Sequence, residues 1–159
     1  MSAIAIGSKA PDFEIDTDGG APFRLSANKG SAVVLYFYGT DDTETCTNEN
    51  VEFSRLADEF SAANTKLVGI SEDSVASHAR FRAKYDLKPI LGADPDHKAI
   101  AAFDLWQPKK TFGREYLGLV RTTILVGPDG KIANIWTVKR VKGHADEVLE
   151  AARALNAKA

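Results

Sequence analysis

Apolar positions in this chain switch repeatedly between two periods. The run "SAVVLYFY" (31–38) is almost continuously apolar and rich in β-branched and aromatic residues, as a strand covered on both faces requires. From Thr47 onward, Phe53, Leu56, Ala57 and Phe60 recur at helical spacing while Glu52, Arg55, Asp58 and Glu59 fill the other side, which predicts one amphipathic helix. "TKLVGIS" (65–71) reads as a second buried strand. "SEDSVASHARFRAKYDL" (71–87) opens on capping residues, Ser74 or Asp73 being the cap, and continues as a helix. A stretch punctuated by Pro and Gly, "KPILGADPD" (88–96), leads into a short helix, "HKAIAAFDL" (97–105). Further on, "LVRTTILVGPDGKIANIWTV" (119–138) holds two strands joined by a turn at Asp129 and Gly130. A last helix follows Gly143, with Ala145, Val148, Leu149 and Ala152 facing inward.

Strand, helix, strand, helix implies parallel pairing, and a hairpin followed by a helix adds an antiparallel half. This order predicts an α/β, thioredoxin-like fold: a mixed central β-sheet flanked by helices, with extra elements at the N-terminus. The 159 residues are the size of one compact domain, 1–159, with no internal repeat or low-complexity segment.

Charge narrows the function classes. The formal net charge is −2, and Lys and Arg are dispersed among Asp and Glu, so there is no basic footprint for nucleic acid. The longest strongly apolar run is about seven residues, against roughly 20 for a membrane span. The start "MSAIAIGSKAPDF" lacks the charged and long apolar segments of a signal peptide, so the mature chain is expected to begin near Met1. A single cysteine, Cys46, forms no internal disulfide and builds no zinc cluster, and a cytoplasmic location is expected. His78, His97 and His144 lack close ligand spacing, so no metal site and no cofactor is expected.

Cys46 lies in "GTDDTETCTNENVEF" (39–53), just past the apolar strand and at the first turn of the following helix. There the unpaired backbone amides and the positive end of the helix dipole favour a thiolate over a thiol. A lone cysteine is most often an inert small hydrophobe, but the polar neighbours point to reactivity. Glu49 stands where a dithiol oxidoreductase would carry its second cysteine, which excludes that mechanism.

The segment "GTDDTETCTNE" resembles the active-site loop of peroxiredoxins, in which Pro, Thr and the peroxidatic Cys precede a helix. Thr43 and Cys46 match that pattern. "APDF", "VVLYFY", "SEDSVASHARF" and "WQPKKTFGREYLGLVRTTILVGPDGKI", in that order, resemble the peroxiredoxin Q subfamily, also called bacterioferritin comigratory proteins, over nearly the whole chain. The resemblance implies a thiol-dependent peroxidase reducing hydrogen peroxide and organic hydroperoxides through a Cys46 sulfenic acid. Arg121 is the matching arginine, Glu49 its orienting partner, and Gly39 and Trp106 are assigned to the substrate pocket. Phe112 and Tyr116 are further candidates for an apolar wall, while His78 has no catalytic role.

Two departures change what the resemblance implies. Gly39 replaces the family's Pro, which loosens the loop by up to about 1 kcal/mol of ordering entropy. Val51 stands at one site of the family's resolving cysteine and Arg82 at the other. The chain therefore reads as a one-cysteine peroxiredoxin recycled by an external thiol (thioredoxin, glutaredoxin or glutathione), acting as a monomer or weak dimer. The rival reading is a peroxide sensor or a non-enzymatic binding protein of the same fold.

Elementary chemistry shows what the site has to supply. A thiol of pKa near 8.5 is about 3% thiolate at pH 7, and lowering the pKa to about 6 raises that roughly 30-fold. The weaker nucleophilicity of the less basic thiolate removes about 13-fold of this gain. Most of the acceleration has to come from aligning the peroxide and stabilising the departing oxygen.

Overall fold

The computed structural model describes residues 4–158. Strands β1 (Glu14–Thr17) and β2 (Phe23–Arg24) form the N-terminal extension and lead through a 3-10 turn, Leu25–Asn28, into β3 (Ala32–Phe37). Then come α1 (Glu44–Arg55), α2 (Ala57–Ala62), β4 (Thr65–Ser71), α3 (Val75–Tyr85), β5 (Ile90–Ala93) and α4 (Lys98–Ala102). The chain closes with β6 (Trp106–Thr111), β7 (Arg114–Leu119), β8 (Thr122–Val126), β9 (Ile132–Thr137) and α5 (His144–Ala157).

Seven strands form one mixed sheet in the order β2-β1-β5-β4-β3-β8-β9. β3 pairs parallel with β4 and antiparallel with β8, so both of its edges are used and all six of its residues are buried. Its alternation separates two cores. Val33, Leu35 and Phe37 join the face that carries Ile100 and Phe103 of the α4 region, whereas Val34 and Tyr36 join the face covered by Phe53, Phe60, Phe81 and α5.

The single helix expected from Thr47 onward is two. It starts earlier, at Glu44, and breaks at Leu56, whose backbone (φ −100°, ψ 7°) leaves helical geometry. Leu56 donates its N–H to Phe53 instead of continuing the ladder, and the offset keeps both Phe53 and Phe60 on the sheet. Ser74, not Asp73, caps α3, accepting from the Ser77 N–H at 3.1 Å.

The Pro- and Gly-punctuated stretch hides a strand, β5, which pairs parallel with β4 and antiparallel with β1. Its glycine is explained by close approach: a Cβ on Gly92 would lie 2.5 Å from Ile15 Cδ1. Strands β6 and β7, unmarked by apolar alternation, pair as a separate exposed hairpin turned by Phe112 and Gly113, both at positive φ. The turn at Asp129 and Gly130, the buried face of α5 and the span of β4 match the sequence reading. Among the described residues, no helix is long and apolar enough to cross a membrane.

Candidate active site

Cys46 sits in the first turn of α1, two residues after its first helical residue, so its sulfur is beside backbone amides that have no partner within the helix. The side chain is buried with the aromatic core that includes Tyr36 and Phe53. Asn50, one turn on, donates its amide to the Cys46 carbonyl at 2.9 Å and accepts the Tyr36 hydroxyl at 2.7 Å. The turn that carries the thiol is thereby tied to β3. Gly69 makes room for this, since a Cβ there would lie 2.6 Å from the Tyr36 ring.

Arg121 approaches from the link between β7 and β8 rather than from within a strand as the apolar run suggests. Its carbonyl accepts the Val138 N–H at 2.9 Å, and its neighbour Val120 donates to Leu105 at 2.8 Å, which fixes the link from both sides. The guanidinium donates through Nη2 to Cys46 Sγ at 3.0 Å and through Nη1 to Glu49 Oε1 at 2.5 Å. A cation beside an apolar strand is costly without an anionic partner, and here the guanidinium has two groups to pair with, the sulfur and Glu49.

Thr43 occupies the N-cap of α1, yet its hydroxyl caps nothing. It donates to the Thr40 carbonyl at 2.8 Å. A hydroxyl rotates, so the single hydrogen held by Thr40 can turn to a sulfur anion or to a bound oxygen. Burial opposes ionisation of Cys46, but the Thr43 hydroxyl, the Thr40 N–H and the Arg121 guanidinium outweigh it and hold the thiol below its ordinary value. Glu49 moves the other way: burial pushes it up to about 7, and Arg121 offsets only part of the cost. Its second oxygen, Oε2, is buried without a hydrogen-bond partner.

The structure brings Cys46, Thr43, Arg121, Glu49 and Gly39 together. A Cβ on Gly39 would stand 3.9 Å from Cys46 Sγ, so this residue adjoins the sulfur and its missing side chain leaves that contact unmade. Trp106 is placed elsewhere: it packs on the core of the opposite sheet face and against the His97 ring, with centroids 4.5 Å apart. Phe112 is fully exposed at the hairpin turn, and Tyr116 is half exposed. The tryptophan that packs on the Cys46 core is Trp136 of β9. Trp106 stands in the separate β6–β7 hairpin, whereas Trp136 stands in the edge strand of the main sheet. Among the described residues no cluster of His, Cys, Asp and Glu has a metal-binding arrangement.

A thiol held low by a cation and two loop donors, at a helix start on this sheet, is an arrangement for nucleophilic attack by sulfur. The profile of the family described as AhpC/TSA matches residues 6–135. The chain belongs to the AhpC/TSA family. It is 39% identical over 155 residues to Peroxiredoxin Bcp of Bacillus subtilis, covering 98% of this chain and 99% of that one. To Peroxiredoxin Bcp of Xanthomonas campestris it is 39% identical over 143 residues, with 90% and 89% covered. The fold superposes on Xanthomonas campestris Peroxiredoxin Q with a TM-score of 0.88 at 36% identity, covering 98% of both chains. A structure concerned with the alkyl peroxide reduction activity of the Xanthomonas campestris bacterioferritin comigratory protein matches with a TM-score of 0.88 at 35% identity, covering 98% and 99%.

Within the family the chain falls in the Bcp, or peroxiredoxin Q, subfamily and is a thiol-dependent peroxidase. As a peroxiredoxin it has one thiol, and neither position of the family's resolving cysteine carries a second. Val51 is a half-exposed residue of α1. Arg82 spends its guanidinium on Asp18 and on the carbonyls of Leu87 and Pro89, stapling α3 to the loops at its C-terminal end.

Proposed function

We propose that Cys46 is the peroxidatic nucleophile, with Thr43 and Arg121 acting on the peroxide and Glu49 orienting Arg121. The substrates are hydrogen peroxide and organic hydroperoxides, and an external thiol closes the cycle. The observation that carries the reading is the 3.0 Å approach of Arg121 Nη2 to the sulfur of the sole cysteine.

The Cys46 thiolate attacks the nearer peroxide oxygen, the S–O bond forms as the O–O bond breaks, and the electron pair leaves on the distal oxygen. That oxygen takes a proton and departs as water or alcohol, leaving a sulfenic acid. Negative charge grows on both peroxide oxygens during the displacement, so a fixed cation and the Thr43 hydrogen serve the transition state more than the ground state. One external thiol then displaces water from the sulfenic acid to give a mixed disulfide, and a second thiol releases the Cys46 thiol and an external disulfide. The reductant is glutathione, thioredoxin or glutaredoxin. A single sheet shared by both cores supports the whole chain acting as one domain.

The test is mass spectrometry of the intact chain after graded peroxide, with and without each reductant. One oxygen should add at Cys46, trap with dimedone and reverse with thiol, and further oxygens should add when reductant is withheld. Peroxide consumption by Cys46→Ser at the parental rate would overturn the assignment.

A further inference from the structure

Asp41 is a buried residue in an otherwise exposed loop: Gly39, Thr40, Asp42 and Thr43 around it are open to solvent. Its carboxylate is fully engaged. Oδ1 accepts the Tyr38 hydroxyl at 2.6 Å, and Oδ2 accepts the Ser77 hydroxyl at 2.8 Å and faces His78 Nδ1 at 2.7 Å. His78, wholly buried on α3, points Nε2 at the Gly92 carbonyl of β5 at 3.0 Å. A carbonyl oxygen only accepts, so Nε2 carries hydrogen, and one more proton lies on the line between Nδ1 and the carboxylate. The Asp41 N–H is used as well, donating at 2.9 Å to Asp73, which also receives the Ser71 hydroxyl.

Burying a carboxylate and an imidazole is costly even when paired, and an apolar pair of similar size would serve packing as well. The hydrogen bonds of both side chains go to Tyr38, Ser77, Gly92 and each other, and not to the sulfur or the residues assigned to peroxide. Their position in the chain gives them a use. Asp41 adjoins Thr40 and precedes by two residues Thr43, the N-cap of α1, whose hydroxyl donates to the Thr40 carbonyl. The same loop passes the sulfur, a Cβ on Gly39 standing 3.9 Å from Sγ, and its Thr43 hydroxyl and Thr40 backbone favour the Cys46 thiolate. The loop itself supplies little stiffness, because it begins with Gly39. A second, surface clamp follows at Asp42, held at φ 60° and bonded to Lys84 and the Tyr85 hydroxyl of the same helix.

We propose that Asp41 and His78 are positioning residues for the peroxidatic loop, tying it to α3 and β5 so that the Thr40 N–H and the Thr43 hydroxyl are held within reach of Cys46. The inference rests on the reading of Cys46 as the nucleophile. It gives α3 a place in the peroxide reaction, through a histidine that the sequence offers only as a core or surface residue.

The experiment compares Asp41→Ala, His78→Phe, Asp41→Asn, Tyr38→Phe and Ser77→Ala in single-turnover reaction with hydrogen peroxide and in Cys46 ionisation followed by thiolate absorbance. Ile100→Val, on the opposite core face, serves as the control for general loosening. Asp41→Ala and His78→Phe should slow the reaction about tenfold or more and move Cys46 ionisation to higher pH, whereas Ile100→Val should move neither. Asp41→Asn should stay within about threefold, because an amide can still accept from Tyr38 and donate to a neutral Nδ1. If the two larger deletions do not fold, Tyr38→Phe and Ser77→Ala decide, each losing about two- to fivefold. Parental rates and an unmoved ionisation across the folded variants overturn the positioning role and leave the nucleophile standing. Peroxide consumption by Cys46→Ser instead takes down the assignment beneath it.

Discussion

Arg121 serves Cys46 and Glu49 at once, one guanidinium nitrogen 3.0 Å from the sulfur and another on the carboxylate. Arg121→Met keeps the length of the side chain and removes the charge and both bonds. The second-order rate with peroxide should fall by about tenfold or more, equivalent to at least about 1.4 kcal/mol, and Cys46 should ionise at higher pH. Stopped-flow kinetics over a pH series measures both. A rate within about twofold of the parent would contradict the role.

Glu49 ties stability to pH with a definite sign. Its carboxyl titrates near about 7 in the folded chain against an ordinary 4.5, so the folded state binds more protons across that interval. The stability this contributes is present below about 4.5 and lost as pH rises through about 7. Glu49→Gln removes the titration. Between pH 5 and 8 the parent should lose up to about 3 kcal/mol more than the variant, read from urea unfolding at each pH.

Thr43→Val separates capping from chemistry. The hydroxyl donates to the Thr40 carbonyl and caps no helix amide, so stability should change by less than about 1 kcal/mol. The peroxide rate should fall and Cys46 ionisation should shift upward. A chain that melts earlier but reacts at the parental rate would make Thr43 a structural residue only.

Val51→Cys asks whether α1 opens. Five residues of helix separate the two Cα atoms by about 7.5 Å along the axis alone, beyond the reach of about 7 Å for a disulfide. Bridging needs the first turns to unwind against the bonds from Tyr36 to Asn50 and from Asn50 to the Cys46 carbonyl. After one equivalent of peroxide the disulfide should form slowly and protect Cys46 from further oxidation, and adding Asn50→Ala should speed it. Loss of two hydrogens relative to the reduced mass reports the bridge. Its absence in both chains would show that α1 stays closed.

Gly39 adjoins the Cys46 sulfur, and its φ lies outside the left-handed region. Gly39→Ala should therefore stabilise the fold by about 0.4–1 kcal/mol through the unfolded state. With a methyl group 3.9 Å from Sγ, alkylation of Cys46 by bulky reagents should slow more than reaction with hydrogen peroxide. Thermal melts and paired alkylation rates check the two parts.

Apolar periodicity was enough for the central strand 32–37, for β4, for the hairpin of β8 and β9 and for the buried face of α5, because each buries a contiguous local pattern. Cys46 was legible as a candidate thiolate too, since a helix start next to a buried strand is a local feature whose electrostatics follow from the backbone, whereas Thr43, Arg121 and Glu49 were singled out through the resemblance to peroxiredoxins. Tertiary structure alone decided the rest. β5 is a strand only because β4 and β1 pair with it, and α1 ends where Leu56 has to meet the core. Trp106, assigned to the pocket in the sequence, belongs to the separate β6–β7 hairpin and packs on the opposite core, whereas Trp136 of β9 packs on the Cys46 core. Asp41 and His78 are 37 residues apart, and no periodicity links them. Only the packing of α3 beside the loop turns two polar residues into a buried pair, because burial and partner choice belong to the assembled sheet and not to any segment of the chain.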